Sequence, residues 1–234
     1  MSSDIQFNSA SYEKLNIVRK LWLQEIVEIL SNKLELKTAL DIACGGGYFS
    51  EVLHQLGLKV KGLDLQKTNI ESCNKQFPHI EFGQINLDRP IGDIGEYDLV
   101  LMFGILYHLE SPLQTIRKLR RSIGKIGVIE SRVSPGSEMA CYLFKEKTGE
   151  AHNKARVVSV PTYPALIRMF NYSGFKYIYR PNRQPDHPQW NNPQNGERHC
   201  FIASRTKLEI EDWPIVNVST FLNKWEAMNV ISTY

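Results

Sequence analysis

Three consecutive glycines, Gly45-Gly46-Gly47, follow the apolar run Ala39-Leu40-Asp41-Ile42-Ala43-Cys44 and precede a helical pattern from Tyr48 to Leu56. Without Cβ atoms such a loop turns tightly and brings its backbone N–H groups against a ligand, at the N-terminus of the helix it opens. Asp64 ends the next apolar segment, Val60-Lys61-Gly62-Leu63, where a carboxylate accepts hydrogen bonds from both hydroxyls of a ribose. The pair reads as a nucleotide-like binding junction. A dinucleotide would want a third glycine where the chain has Ser50, so that ligand ranks second. Tyr107-His108 follows a fourth apolar segment. Imidazole titrates near neutral pH, so His108 reads either as a general base toward a substrate hydroxyl or as a residue that orients its loop. Glu130 ends a fifth apolar segment at the same rim and reads either as a substrate ligand or as a helix cap.

Alternating strand and helix patterns must position these residues, which predicts an α/β fold in one domain. Residues 11–34 repeat Tyr12, Leu15, Val18, Trp22, Ile26 and Ile29 at helical intervals, predicting a helix over the nucleotide site or its edge. Strands are expected at 58–64, from Ile80 and over Tyr97–Phe103, the last apolar enough to be central, with a helix at 67–77. Ser111-Pro112 predicts a capped helix start, its apolar face formed by Leu113, Ile116, Leu119 and Ile123, stopping at Gly124. A fifth strand follows at Gly127–Glu130, then a helix from Thr162 to Ser173 ended by Gly174, then strands at Phe175–Arg180 and Arg198–Ser204. Residues 134–160 show no period and 181–197 are rich in Pro, Asn and Gln, so both read as substrate-facing insertions. Residues 1–36 form an N-terminal helical segment and 206–234 a tail, whose Trp213, Phe221, Trp225 and Tyr234 pack on the domain or make a dimer contact.

A net charge of +3 is too small to argue for nucleic acid, and the basic run Arg117–Arg121 reads as the solvated face of its helix. Cys44, Cys73, Cys141 and Cys200 form no CxxC pair and have no histidine at ligand spacing, so they read as reduced, mostly buried thiols rather than metal ligands. No apolar run reaches membrane-spanning length, and Met1-Ser2-Ser3-Asp4 lacks the basic and apolar regions of a secretory signal. The expectation is a cytoplasmic monomer or homodimer.

The series DIACGGGYFS, KGLDL, YDLVLMFGILYHLESP and a late strand pair, over residues 37–205, resembles the class I S-adenosylmethionine-dependent methyltransferases. The resemblance implies a Rossmann-like seven-stranded, mostly parallel sheet with one antiparallel strand and helices on both faces. It also implies S-adenosylmethionine as cofactor. By position, Asp41 and the backbone of Gly45 and Gly47 would hold its methionine end and Asp64 its ribose, with Leu65 and Leu87 near the adenine and Asn86 reading the adenine amino group. Ala43 stands where the family usually has its first glycine. Phe103 and Gly104 would border the transferred methyl, with Tyr107 and His108 as the catalytic candidates and Glu130 as a substrate candidate.

A closer likeness runs through FGILYHLESPLQTIRKLRR, VPTYPALIRMFNYSGF and ERHCFIASR, which look like the catalytic half of bacterial tRNA wobble-uridine carboxymethyltransferases. There the positions of Phe103, Tyr107 and Arg198 contact the cofactor, the arginine reading a carboxylate on the transferred group. That subfamily's amino-terminal Trp and Lys ligands find no match in residues 1–36, so ordinary S-adenosylmethionine is the expected cofactor. The expected acceptor is an oxygen of a small molecule, a sugar or biosynthetic intermediate. An RNA acceptor and a catalytically silent cofactor-binding protein are the alternatives.

Overall fold

The computed structural model describes residues 10–145, 157–191, 198–211 and 213–217. The chain runs through α1 (Ala10–Ser31), β1 (Thr38–Ile42), α2 (Tyr48–Gln55), β2 (Lys59–Asp64), α3 (Lys67–Gln76), β3 (Glu81–Gln84) and β4 (Tyr97–Phe103). A 3₁₀ turn (Leu106–His108) leads to α4 (Pro112–Leu119), a second 3₁₀ turn (Arg120–Ser122) and β5 (Ile123–Arg132). Then come β6 (Cys141–Lys145), β7 (Val157–Pro161), α5 (Tyr163–Tyr172), β8 (Tyr177–Tyr179), α6 (Pro188–Asn191) and β9 (Arg198–Ser204).

Seven of the strands form one sheet in the order β3-β2-β1-β4-β5-β9-β8. The first five are parallel neighbours, and β9 runs against both β5 and β8, which makes it the single reversed strand. β4 is apolar throughout its centre because both faces are covered. Leu99 and Leu101 join Ala39 in the core beneath α1, α2 and α3, while Val100 and Met102 join Leu40 and Ile42 in the core beneath α4 and α5. Phe170 of α5 anchors that second layer, its ring 5.6 Å from Phe175 and 5.1 Å from Phe201. A cavity in its place would cost about 3–5 kcal/mol.

Neighbouring β1 and β4 feed helices on opposite faces of the sheet, since α2 buries Phe49, Val52 and Leu53 in one layer and α4 buries Ile116 and Leu119 in the other. That divergence opens a crevice at the carboxyl ends of the two strands, the usual ligand position in such sheets. α1 crosses the same end, with the Trp22 ring 6.2 Å from that of Phe103.

Some boundaries differ from the sequence pattern. α4 stops at Leu119, and Ile123 and Gly124 belong to β5, because Ile123 pairs with Tyr97 and is drawn into the sheet. Ser111 makes no side-chain cap, and its carbonyl instead accepts the Thr115 N–H at 3.1 Å. Within 134–160, β6 and β7 pair as an antiparallel hairpin. Every residue of β6 is exposed, so neither face was under pressure to be apolar and no period of two appears. Trp213 is buried, whereas Phe221, Trp225 and Tyr234 lie outside the described residues. Among the described residues no helix is long and apolar enough to cross a membrane.

Candidate functional site

The glycine loop leaves β1 through Ala43, which holds a left-handed φ of 61°. For alanine that conformation costs about 1 kcal/mol, the physical reason a glycine is usual there. Gly47, at φ 80°, is the N-cap of α2, and a Cβ on it would meet the Phe77 ring at 3.0 Å and Cys73 Sγ at 3.1 Å. Gly45 and Gly46 are different. A Cβ on either finds no atom within 4 Å, so the space beside both is open.

Asp64 ties this loop to β2. Its Oδ2 accepts the Gly45 N–H at 3.0 Å, and its Oδ1 accepts the Gln66 N–H at 2.8 Å and the Asn69 amide at 3.0 Å. A carboxylate offers roughly four acceptor positions, so these bonds leave Oδ2 one. Asp41 is buried one layer deeper, where it accepts the Ser50 hydroxyl at 2.7 Å. Burial pushes its carboxyl up to about 7, with the Ser50 hydrogen bond pulling down and the charge on Asp64 pushing further up.

Beside Asp64 a shallow slot collects Ala43, Leu65, Asn86 and Leu87. Ile85, Asp88, Ile105 and Leu109 complete its walls, and sequence reasoning had not singled these out. The Asn86 Oδ1 accepts the Asp88 N–H at 3.0 Å, which fixes the side chain and leaves that oxygen one further acceptor position. Lys118 props the wall by donating to the Arg89 carbonyl at 2.9 Å, so one member of the basic run is not simply solvated.

At the other end of the crevice, the Phe103 ring lies edge-on to Phe49 at 5.1 Å. The Tyr107 and His108 rings lie 4.2 Å apart on the half-buried 3₁₀ turn. Glu130 caps no helix. It is fully buried and bonded to two arginines, Arg19 Nη2 to Oε2 at 2.8 Å and Arg198 Nη1 to Oε1 at 2.7 Å. Burial raises the Glu130 carboxyl, but the two guanidinium charges outweigh it and hold the group below the usual range. Arg198 is buried, with Nε donating to Gln189 Oε1 at 2.7 Å and Nη2 to Tyr107 Oη at 3.4 Å. The structure therefore joins Tyr107, Glu130 and Arg198 in one cluster and adds Arg19 from α1.

A family model described as "Methyltransferase domain" matches residues 15–180. The chain belongs to this methyltransferase family. Among curated relatives, a tRNA U34 carboxymethyltransferase of Mannheimia succiniciproducens is 31% identical over 158 residues, 62% of this chain and 47% of the relative. A ubiquinone biosynthesis O-methyltransferase of Nitrosococcus oceani is 26% identical over 171 residues, 64% of this chain and 72% of the relative. The chain spans about half the length of the carboxymethyltransferase relatives it matches. Among solved structures, the N-terminal domain of EvdMO1, crystallised with SAH and D-fucose, superposes with a TM-score of 0.59 at 15% identity, over 72% of this chain and 76% of that one. CalS10, an amino pentose methyltransferase from Micromonospora echinaspora, gives a TM-score of 0.58 at 14% identity, over 85% and 98%. The likeness to these structures establishes the Rossmann-like methyltransferase fold.

The methyltransferase residues missed from sequence were those whose neighbours are distant in the chain. Arg19 had a signal: it falls between Leu15 and Trp22 at helical spacing, a charge on an otherwise apolar stripe. Trp190 and Gln189, in the segment read as a loop, had none.

Proposed function

We propose that this methyltransferase-family chain uses S-adenosylmethionine to methylate an oxygen of a small-molecule acceptor, a sugar or biosynthetic intermediate. The observation that carries the reading is the Gly45–Asp64 tie at the β1/β4 crevice, with open space over Gly45 and Gly46 and the slot beside Asp64. The residues fit the cofactor. Asp64 has one acceptor position left for a ribose hydroxyl, and a second hydroxyl would take the place that Asn69 now fills. Leu65 and Leu87 offer apolar walls to an adenine, Asn86 its polar edge, and the loop from Asp41 to Gly47 the methionine end. When bound, the cofactor supplies a methyl group on a positively charged sulfur, which leaves as a neutral thioether once an acceptor oxygen has taken the methyl.

For such a transfer the protein contributes mainly alignment and exclusion of water. Phe103, Phe49 and Trp22 make a dry wall there. His108, half-buried on the 3₁₀ turn, is the candidate acceptor of the hydroxyl proton, with the Tyr107 ring tilted against it as its positioning partner. The described parts of the two insertions, 134–145, 157–160 and 181–191, supply the acceptor side of the cleft, and the rest of both lies outside the described residues. The connection of β7 to that rim supports this, since the Ser159 N–H donates to the Leu109 carbonyl at 2.9 Å and its hydroxyl to the Glu110 carbonyl at 2.8 Å.

Calorimetry with S-adenosylmethionine tests the cofactor. Binding by the native chain and a loss of at least about tenfold in Asp64→Ala, one charge-assisted hydrogen bond's worth, are expected. Absence of binding, or unaltered binding by the variant, sinks the reading. A second reading, an RNA acceptor, is favoured by the 31% identity to tRNA U34 carboxymethyltransferases. Weak, salt-insensitive tRNA binding would count against it.

A further inference from the structure

Two thiols lie under the glycine loop. Cys44 follows β1 and Cys73 sits on α3, at exposures of 8% and 0%. Both sulfurs converge on one oxygen, since Cys73 Sγ donates to the Gly45 carbonyl at 3.3 Å and Cys44 Sγ lies 4.0 Å from the same atom. The Gly45 N–H is held by Asp64 Oδ2 at 3.0 Å, so a thiol and a carboxylate fix this residue through both of its backbone groups. The other two cysteines are placed differently. Cys141 is exposed on β6, and Cys200 is buried with its Sγ accepting the Trp190 indole N–H at 3.2 Å.

The pair is chemically unequal. Cys44 is within hydrogen-bonding reach of Cys73, and its S–H holds the Cys73 thiol below the ordinary range, against burial and the charges of Asp64 and Asp41. The Cys44 thiol is pushed up, first by that same hydrogen bond and then by burial. One thiol is thus disposed to ionise while its neighbour keeps a proton, which is what an attacking thiolate and a resolving thiol require.

We propose that Cys44 and Cys73 form an oxidisable dithiol, which hydrogen peroxide converts to a disulfide that disables the glycine loop. With exposures this low the oxidant must be small, which favours peroxide over a disulfide the size of oxidised glutathione. The Cys73 thiolate attacks one peroxide oxygen, the O–O bond breaks, and the hydroxide released takes up the thiol's proton as water, leaving a sulfenic acid. The Cys44 sulfur then attacks the Cys73 sulfur, the S–O bond breaks, and the Cys44 proton leaves with the hydroxyl as a second water. The two thiols lose two electrons in all, and the peroxide takes both. A disulfide holds its sulfurs about 2.05 Å apart, so closure removes the S–H that holds the Gly45 carbonyl. Gly47 lies against the Cys73 sulfur, where a Cβ would meet it at 3.1 Å, so a shift of that sulfur passes to the loop and to the Gly45–Asp64 bond.

The effect on binding rests on the reading of this loop as the cofactor site. The full chain is treated with hydrogen peroxide, alkylated and digested, and its peptides are analysed by mass spectrometry with and without dithiothreitol. A linked pair carrying Cys44 and Cys73, lighter by two hydrogens than the separate peptides, is expected, and dithiothreitol should release it. By calorimetry, S-adenosylhomocysteine affinity should fall about tenfold or more on oxidation and return with dithiothreitol. Cys73→Ser cannot cross-link, so its affinity should be the same before and after peroxide, whereas Cys141→Ser, which removes the exposed thiol, should respond as the wild type does. No link between Cys44 and Cys73 overturns the proposal, as does a link that leaves affinity unchanged or an equal peroxide-induced loss in Cys73→Ser. If the reduced wild type does not bind S-adenosylhomocysteine, the cofactor reading fails instead, and the peptides alone decide the dithiol.

Discussion

Replacing Asp41 by asparagine should make the protein more stable relative to the wild type as pH rises. Asp41 is 2% exposed, and its folded carboxyl is pushed up to about 7 from an ordinary 3.8, chiefly by burial. The folded state therefore keeps a proton that the unfolded chain releases. Stability from this group is greatest below pH 3.8 and is lost as pH climbs toward 7. At about 1.4 kcal/mol per pH unit, the full loss is on the order of 4 kcal/mol, and the part between pH 5 and pH 7 on the order of 2 kcal/mol. An asparagine carbonyl still accepts the Ser50 hydroxyl but never ionises. Urea unfolding of both proteins at pH 5, 6, 7 and 8 gives the test, because the difference between them cancels the other titrating groups. The difference should swing toward the variant by about 2 kcal/mol between pH 5 and pH 7 and then level off. A pH-independent difference would refute the argument, and a swing the other way would mean that Asp41 is charged in the folded protein.

If the ammonium of the bound methionine end neighbours Asp41, ligand binding favours the ionised carboxylate, so S-adenosylhomocysteine affinity should rise about tenfold from pH 6 to pH 8 and be flat in Asp41→Asn, by calorimetry. Ala43→Gly relieves the φ of 61° and should raise the melting temperature by a few degrees, about 0.5–1 kcal/mol. Gly46→Ala should leave stability within about 0.5 kcal/mol while its methyl intrudes on the cleft and weakens cofactor binding, whereas Gly47→Ala should cost about 1–3 kcal/mol, since its Cβ meets Phe77 and Cys73; urea midpoints and binding constants separate the two. Glu130→Gln leaves Arg19 and Arg198 without their shared counter-charge and should destabilise by about 3–5 kcal/mol in thermal or urea unfolding.

Much of the sheet was legible because its strands are buried on both faces, as in residues 99–103 of β4, where burial demands an unbroken apolar run. The glycine loop was legible for a related reason. Few residues other than glycine tolerate the φ at Gly47, so backbone geometry leaves a mark on residue type. β6 left no such mark, since its exposed residues answer to no core. Asn86 was read from its residue type as a carbonyl acceptor, and only the fold shows that the same oxygen also closes a local turn with the Asp88 N–H.

By itself, then, the sequence determined the seven strands of the main sheet and their flanking helices, the cofactor-type loop and the acidic residue after it, because these depend on local backbone geometry and on burial, both of which act within a few residues. Tertiary structure alone decided the charged cluster. Arg19, Glu130 and Arg198 are separated by 111 and 68 residues, and no local pattern draws the three together. Only the packing of α1 and β9 against the end of β5 removes them from water together, and their removal from water is what turns three ordinary side chains into a site.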